Sequence, residues 1–478
     1  MSYQVPQHIC KDKIFIVNRS EIEGRLEPEF YRPSISSLET KIRSLASHKL
    51  GDYALSLAGG ATPKKTEADE FYSDPESGIP FLRVQNLQTN GELALDNCVY
   101  INEDTHNGLL QRSQVDEGDL LVKITGVGRM AVASVAPKDF VGNTNQHIVV
   151  IKTGNASTSK YLARYLNLDI IERIASRHST GGTRPALDYP SLKALPIIEG
   201  IDFSPIDKAI ETKKEKEREA NALINSIDSY LLQELGIAMQ NGKKRLKDKI
   251  LIVKKNALEE RLDPLFYFAE IDKFTRCTYS ERLSSLAFSF SNGFAVGRQN
   301  QVEAEKGILQ IRPTNIDNNG RLKYDKNVYV PEMLDIPFVE SGVVLFNNTN
   351  SQEWVGKTTY FANEENMKVY TSNHITAIDA DRSKILPEYL CAILNMYQRH
   401  KVFYSICTNW NNQSGIGLDL LKSLHIPLFT DDKKESLRRQ QEIVDRINDI
   451  YREADECISS ANHIMAEAKA KVESMIIG

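Results

Sequence analysis

The chain has 478 residues, with 59 Lys plus Arg against 64 Asp plus Glu and a formal net charge of −5. That length holds two or more domains of roughly 100–200 residues each, and the acidic balance excludes blanket electrostatic binding of nucleic acid, so such a partner has to meet a local basic patch. The six cysteines (Cys10, Cys98, Cys277, Cys391, Cys407, Cys457) include no C-x-x-C pair, no apolar run approaches the roughly 20 residues that span a bilayer, and the start MSYQVPQHICKDK lacks a signal peptide's apolar stretch; zinc sites, disulfide frameworks and membrane spans are disfavoured, and a cytoplasmic location is expected.

In chain order, the first distinctive segment is KDKIFIVNRSEIEGRLEPEFY (11–31). RVQNLQTNGELALDNCVYI (83–101) follows, with an Asn-Gly turn signal at 90–91 between extended stretches. GDLLVKI before TGVG, and HIVVIKT before GN, read as strands running into turns. An amphipathic helix is predicted near 158–176, where Tyr161, Leu162, Tyr165, Leu166, Ile170, Ile171 and Ile174 recur at helical spacing. A long helix is predicted from Ser204, as cap, with Pro205 in its first turn, to a stop at Gly236. Its intermittent seam is Ile206, Ile210, Ala220, Leu223, Ile224, Ile227, Leu231 and Leu235, and KKEKERE at its centre is a solvated face.

The second half repeats the first. KDKILIVKKNALEERLDPLFY (247–267) matches 11–31 at 12 of 21 positions without a gap. RPTNIDNNGRLKYDKNVYV (312–330) shares the frame of Arg, two Asn, Gly, Leu, Asp, Val and Tyr with 83–101. EGDLLVKITG (117–126) parallels SGVVLFNNTN (341–350), with Thr125 opposite Thr349. TNQHIVVI parallels TSNHITAI, placing His147 opposite His374, and YLARYLN (161–167) parallels YLCAILN (389–395), predicting a partner helix near 385–403. ALDYPSLKALPI (186–197) parallels GLDLLKSLHIPL (417–428), and a second long helix is predicted over about 435–476. A period this long is a domain duplication.

The fold class expected is α+β: two tandem mixed α/β domains, 1–203 and 237–434, separated by a helix over 204–236 and followed by one over 435–478. The helices are expected to pair as an antiparallel coiled coil about an internal pseudo-two-fold axis, since either alone is marginal in water.

Few segments offer catalytic chemistry. SQEWVGKTT (351–359) ends like a phosphate-binding loop, but Ser351 stands where the first glycine belongs, and Glu353 and Trp354 crowd the cradle. TGVGRM and SGIGLD hold isolated G-x-G pairs that read as turns. There is no NPP or DPP stretch, no G-x-S-x-G and no H-E-x-x-H, so the sequence does not read as an enzyme. Two loops instead concentrate amide, hydroxyl and guanidinium groups around glycines: RHSTGGTRPAL (177–187) and CTNWNNQSGIGL (407–418). Such side chains can pair with base edges in a major groove, or simply cap a solvated loop. Lys160, Arg164, Arg173, Arg177 and Arg184 against Asp169 and Glu172 give 160–184 a local excess of +3, which fits phosphate contact or a solvated helix face.

This pattern resembles the specificity subunit of type I restriction–modification systems, over essentially the whole chain. The closing segments carry the likeness: GGTRPALDYPSLKALPI for the first domain, and SGIGLDLLKSLHIPL followed by RQQEIVDRI (439–447) for the second. GDLLVKITG, NTNQHIVVI and the RL.P.FY pieces also look like family segments. The first helix opens EGIDFSPIDKAIE without the glutamines seen at Gln440 and Gln441, and the second loop is NWNNQSG, not GGT. The resemblance implies a non-catalytic prokaryotic DNA-recognition subunit acting in phage defence, each target recognition domain reading half of a bipartite target and the helices fixing the distance between halves. It implies double-stranded DNA, two methyltransferase (modification) subunits carrying S-adenosylmethionine, and restriction motor–nuclease subunits as partners, with no cofactor or metal in this chain.

Candidate DNA-binding residues in the first domain are Arg83, Gln85, Asn86, Lys123, Thr125, Arg129, Gln146, His147, Thr180, Gly182, Thr183 and Arg184. In the second they are Arg312, Thr314, Asn315, Asn347, Thr349, Gln352, Asn373, His374, Asn409, Trp410, Asn411 and Gln413. Asn86, Asn315, His147 and His374 belong to the shared frame and serve structure as readily as readout. The alternative from another class is a duplicated coiled-coil scaffold that binds protein alone.

Overall fold

The computed structural model describes residues 10–64, 68–237, 252–254, 262–268, 279–410 and 413–478. Most of the second opening repeat, including Arg261, and the candidate Asn411 lie outside the described residues. The chain forms two compact units, Met1–Glu217 with Ile458–Gly478, and Arg218–Cys457.

In unit 1, helix α1 (Pro33–Leu45) precedes strands β1 (His48–Lys49), β2 (Ser56–Gly59), β3 (Tyr72–Ser73), β4 (Ile79–Leu82) and β5 (Val99–Ile101). Strands β6 (Gln114–Asp116), β7 (Leu120–Lys123), β8 (Ala133–Val135), β9 (Val141–Thr144) and β10 (Ile148–Lys152) follow. Then come α2 (Ala156–Leu166), α3 (Asp169–His178), α4 (Tyr189–Lys193), β11 (Pro196–Ile197) and the start of α5 (Ser204–Glu234). One antiparallel sheet has the order β2-β10-β7-β8, and a second, β3-β5-β4-β9-β6, contains the parallel pair β4–β9.

The runs LLVK and IVVI are apolar without alternation because both faces of the first sheet are covered. Leu120, Val122, Val149 and Ile151 pack with Leu162, Tyr165, Leu166, Ile171 and Ile174 of the helices. Leu121, Ile148 and Val150 on the opposite face pack with Leu82, Val115 and Phe140. Burial on this period of two fixes register, because a one-residue slip would exchange the two cores.

Unit 2 repeats this topology. Its strands are β12 (Tyr279–Arg282), β13 (Ala287–Asn292), β14 (Ile308–Ile311), β15 (Tyr329–Val330), β16 (Val343–Asn347), β17 (Thr349–Asn350), β18 (Thr358–Phe361), β19 (Val369–Thr371) and β20 (Ile375–Ala380). Helices α6 (Pro387–Arg399) and α7 (Val402–Ile406), strands β21 (Thr408–Trp410) and β22 (Gln413–Gly415), helix α8 (Leu418–Ser423), strand β23 (His425–Leu428) and the first part of helix α9 (Lys433–Ile477), up to Cys457, complete it. The sheet β13-β20-β16-β18 corresponds strand for strand to β2-β10-β7-β8, and the parallel pair β14–β19 to β4–β9. Register agrees as well: Ile148 faces Lys123 as Ile375 faces Asn347.

The single helix expected near 158–176 is two, α2 and α3, and its partner is α6 and α7. Each break follows a buried asparagine or lies shortly beyond one. Asn167 donates Nδ2 to the Ala133 carbonyl (2.7 Å) and accepts the Ala133 N–H (3.2 Å). Asn395, its repeat counterpart, does the same with Thr358, at 2.8 and 2.9 Å. In unit 2 the chain turns at Lys401, which adopts a left-handed φ of 61°. A glycine at the equivalent turn packs against each helix: at Gly91 (φ 84°) a Cβ would lie 2.5 Å from Arg164 Nη1, and at Gly320 (φ 77°) 2.2 Å from Nδ2 of the clamp residue Asn395.

Helix α5 starts at Ser204, where the Asp202 carboxylate accepts both the Ser204 amide and its hydroxyl at 2.9 Å; Phe203, whose carbonyl accepts the Asp207 amide (2.9 Å), holds the cap position, and the covering side chain is that of Asp202 rather than of Ser204. It ends in a Schellman turn, with the Ile237 amide on the Leu232 carbonyl (2.8 Å) and Gly236 at φ 65°. In unit 1, Ile206 and Ile210 share a core with Val472 and Ile476, and Lys213 bonds Asn462 at 2.8 Å. In unit 2, Ile227 shares a core with Ile447 and Ile450, and Glu234 pairs with Arg439 at 3.4 Å. Rising numbers on one helix meet falling numbers on the other, so within each unit the pairing is antiparallel.

Candidate nucleic-acid interface

Antiparallel pairing puts the end of β2, the end of β7 and the start of β10 at one end of the unit 1 sheet. Three loops therefore leave from the same place: 60–62, 124–129 and 145–147. A fourth is tied to them, because Gly126 donates to the Pro185 carbonyl (3.0 Å) and Leu187 to that of Ile124 (2.8 Å). This fourth loop is closed at its neck by reciprocal Thr180–Ala186 backbone bonds of 2.8 Å. Its tip, from Thr180 to Arg184, is exposed, and Gly181 takes a φ of 100° that a side chain would strain. The Arg184 guanidinium has no hydrogen bond or ion pair among the described residues.

The RLEPEFY segment braces the base of this loop. Arg25 donates to the carbonyls of Ser179 (2.9 Å) and Arg177 (3.5 Å) at the end of α3. Phe30 lies between two guanidiniums, Arg25 at 4.6 Å and Arg177 at 4.5 Å from its centroid. Arg177 and His178 both reach the buried Glu39 carboxylate, at 2.6 and 2.8 Å. Burial alone would raise the Glu39 pKa, but the hydrogen bonds and charges of His178 and Arg43 bring it down to about 2.

The local basic excess is largely spent internally. Arg164 is buried against Asp207 (2.8 Å), Lys160 sits 3.3 Å from the same carboxylate, and Arg177 is held by Glu39. Arg164 and Arg177 therefore form no free phosphate patch, whereas Lys160 stays at the surface beside its carboxylate.

The individual unit 1 candidates divide sharply. Gln85, Thr183 and Arg184 are exposed, as is Gln146, which accepts a hydrogen bond from Thr62. Thr125 is half-buried at the loop junction. Asn86 is buried and spent on its own loop, accepting from the Arg83 amide (2.8 Å) and donating to the Ala94 carbonyl (2.8 Å). Lys123 is buried, its ammonium on the Val127 carbonyl (2.8 Å) and its pKa pushed down by burial. Arg129 bonds Asp169 (2.5 Å) and the Asn167 carbonyl (3.1 Å). Arg83 Nε and His147 Nδ1 are buried without a hydrogen-bond partner among the described residues.

Unit 2 builds a different surface on the same frame. A hairpin, β21–β22, pairs with β17 through Thr349–Gly415 and Asn350–Ser414. Thr408, Asn409, Trp410 and Gln413 are exposed on it, and Asn409 accepts from the Ser414 hydroxyl (2.6 Å). Trp410 overlies Gly415, where an added Cβ would lie 2.4 Å from the indole. Beside the hairpin is a concavity of about 460 Å³ lined by Thr349, Asn373, Thr408 and Trp410 together with Asn292, Asn348 and Thr376. Thr314 is exposed and His374 half-buried next to Asn373. Asn315 repeats the internal bonds of Asn86, at 3.0 Å each. Arg312 bonds Gln310, Gln352 donates to the Tyr404 carbonyl (2.9 Å), and Asn347 is fully buried. Lys357 of the phosphate-loop lookalike is also buried, on the Ile316 carbonyl (2.6 Å), while the Gly356 amide serves Asn347.

The sequence reading passed over Thr62 and the Gly-Gly pair before it, and Asn292, Asn348 and Thr376. At Gly60 a Cβ would lie 1.8 Å from the Thr144 carbonyl, and at its counterpart Gly293 2.0 Å from that of Thr371. The GGAT spelling at 59–62, so close to GGT at 181–183, was the available signal.

No protein-family model matches the chain. Over 87 residues it is 31% identical to the type I restriction enzyme MjaX specificity subunit of Methanocaldococcus jannaschii. The resemblance is to a type I restriction specificity subunit. The match takes in 18% of this chain and 20% of that relative's length. Three solved chains align at low scores. The type I restriction–modification S subunit of M. genitalium is 13% identical, covering 89% of this chain and 95% of its own, with a TM-score of 0.37. A chain from work on complex assembly and conformational transition of the type I R-M system is 15% identical, covering 90% and 95%, at 0.39. The HsdS subunit from Thermoanaerobacter tengcongensis is 13% identical, covering 90% and 94%, at 0.33. Among the described residues no helix is long and apolar enough to cross a membrane.

Proposed function

We propose that this chain is the non-catalytic DNA-recognition subunit of a type I restriction–modification complex, acting in the cytoplasm. Residues 1–203 and 237–434 act as target recognition domains, each reading half of a bipartite target. The helices over 204–236 and 435–478 set the spacing of the halves and dock two methyltransferase subunits. Those subunits bring S-adenosylmethionine and the methylation chemistry, and motor–nuclease subunits join for cleavage; this chain supplies the address.

The observation that carries the reading is one frame bearing two different surfaces. The sheets, the asparagine clamps and the loop exits agree between units, whereas the exposed groups are Thr180, Thr183 and Arg184 in one and Asn409, Trp410 and Gln413 in the other. Equal frames with unequal loops are what two unequal half-sites require. Arginine and amide side chains on exposed loops match the donor and acceptor patterns of base edges, while hydroxyls and backbone amides suit phosphates. The buried candidates Asn86, Asn315 and Lys123, and Arg129 through its pair with Asp169, hold the loops in place.

Gel-shift titration of the chain, with and without its methyltransferase partner, tests this on duplexes in which the left half, the right half or both halves of the methylated motif are scrambled. The proposal expects each single scramble to weaken the complex and the double scramble to reduce it to non-specific binding. A complex with the methyltransferase that is indifferent to all three scrambles favours a protein scaffold instead.

A further inference from the structure

The internal repeat makes each unit a control for the other, and one position is inverted in charge. Lys152, at the end of β10, pairs in register with Ser56; its counterpart at the end of β20 is Asp379, which pairs with Ser289. In unit 1 the Lys152 ammonium lies 2.7 Å from both Asp116 and Asp119. The alignment of EGDLLVKITG with SGVVLFNNTN puts Glu340 where Asp116 stands and Val343 where Asp119 stands. Unit 2 thus keeps one of the two carboxylates, adds another, and has lost the cation they surround. Neither Asp379 nor Glu340 has a hydrogen bond or ion pair among the described residues.

These carboxylates line a concavity of about 420 Å³ on the sheet face away from the helices. Three aromatic rings complete it: Tyr370 lies edge-on to Phe294 at 5.1 Å and tilted against Phe338 at 5.0 Å. The Ser289 and Ser291 hydroxyls add acceptors on the floor. Among the described residues, the cation held over one of these rings is Lys368, 5.0 Å from the Phe338 centroid, and it is paired with Glu332 rather than with the two lining carboxylates. Aromatic faces and carboxylates together favour a delocalised or alkylated cation over a hydrated metal ion.

We propose that this unit 2 pocket binds an organic cation, an alkylguanidinium or alkylammonium, at the place where unit 1 carries its own lysine. Asp379 and Glu340 supply the counter-charge, and Phe294 and Phe338, backed by the buried Tyr370, cover the alkyl stem. The same chemistry is offered by a free amine or guanidine and by an arginine or lysine side chain of a partner polypeptide. The proposal does not depend on DNA binding.

The test is calorimetric titration of the full chain with n-butylguanidinium and, separately, with N-acetyl-Gly-Arg-Gly-amide. Wild type should bind n-butylguanidinium at one saturable site. Asp379→Asn should weaken that site by about tenfold, as expected for losing a charge-assisted contact. Asp379→Lys should abolish it by restoring the unit 1 arrangement with Glu340. Phe338→Leu, which keeps every charge, should weaken it several-fold. Binding of both probes supports the pocket and assigns it to a partner's side chain; binding of n-butylguanidinium alone supports it and assigns it to a free cation. Absence of saturable binding by either probe, or unchanged binding by Asp379→Lys with the fold intact by circular dichroism, overturns the proposal.

Discussion

Arg184→Ala separates readout from folding more cleanly than any other substitution in unit 1. The side chain is exposed and makes no hydrogen bond or ion pair among the described residues, so its removal should change stability by less than about 0.5 kcal/mol. The loop that carries it is closed by the Thr180–Ala186 bonds and braced by Arg25, neither of which needs Arg184. The loss therefore falls on binding. A guanidinium reading a base is worth about 1–3 kcal/mol, which is roughly five- to 150-fold in affinity at 1.4 kcal/mol per decade. Fluorescence anisotropy of the complex with its methyltransferase partner should show that loss on the intact target and on duplexes with the other half-site scrambled. It should disappear on duplexes whose unit 1 half-site is already scrambled. An equal loss on every sequence would mean phosphate contact only, and no loss at all would remove this loop from the interface.

Trp410→Ala should weaken the unit 2 half-site alone by about 1–3 kcal/mol, since stacking or groove contact by an exposed indole is lost; the same anisotropy series with the roles of the halves exchanged checks it. Asn395→Ala leaves the Thr358 N–H and C=O without partners inside the core, an expected cost of about 2–4 kcal/mol in thermal or chemical unfolding, and an unchanged midpoint would contradict the clamp. Glu39 has a folded-state pKa of about 2 against 4.5 for a free glutamate. A depressed carboxylate contributes stability that is present above about pH 4.5 and lost as pH falls towards 2, here about 3 kcal/mol as an upper figure. Denaturant titrations between those limits should therefore give a steeper loss for wild type than for Glu39→Gln, and parallel curves would refute the ion-pair account.

The duplication, the two long helices and the strands LLVK and IVVI were legible because each rests on a pattern longer than one element. The helix breaks were not. Apolar residues run at helical spacing straight through Asn167, and only the fold reveals that its amide is occupied by the backbone of Ala133. The candidate site was legible by loop but not by residue. Lys123, Asn86 and Asn315 carry the same functional groups as true contacts would, yet burial turns them inward, and Arg129 is taken up by Asp169 and the Asn167 carbonyl; a sequence displays neither burial nor distant partners. Arg164 and Arg177 show the same limit for charge: their partners, Asp207 and Glu39, lie 43 and 138 residues away. The pair Lys152 and Asp379 was visible in the aligned repeats, but its meaning needed the register of both sheets.

The central claim is that two copies of one frame read two different short sequences held at a fixed distance. Methylation-aware sequencing of host DNA, from cells with the intact gene and with Arg184→Ala, tests it most directly. The account predicts a split motif with an unread spacer, lost on deletion of the gene and relaxed in one half only by the substitution. A continuous motif, or a split motif that survives deletion, would contradict it.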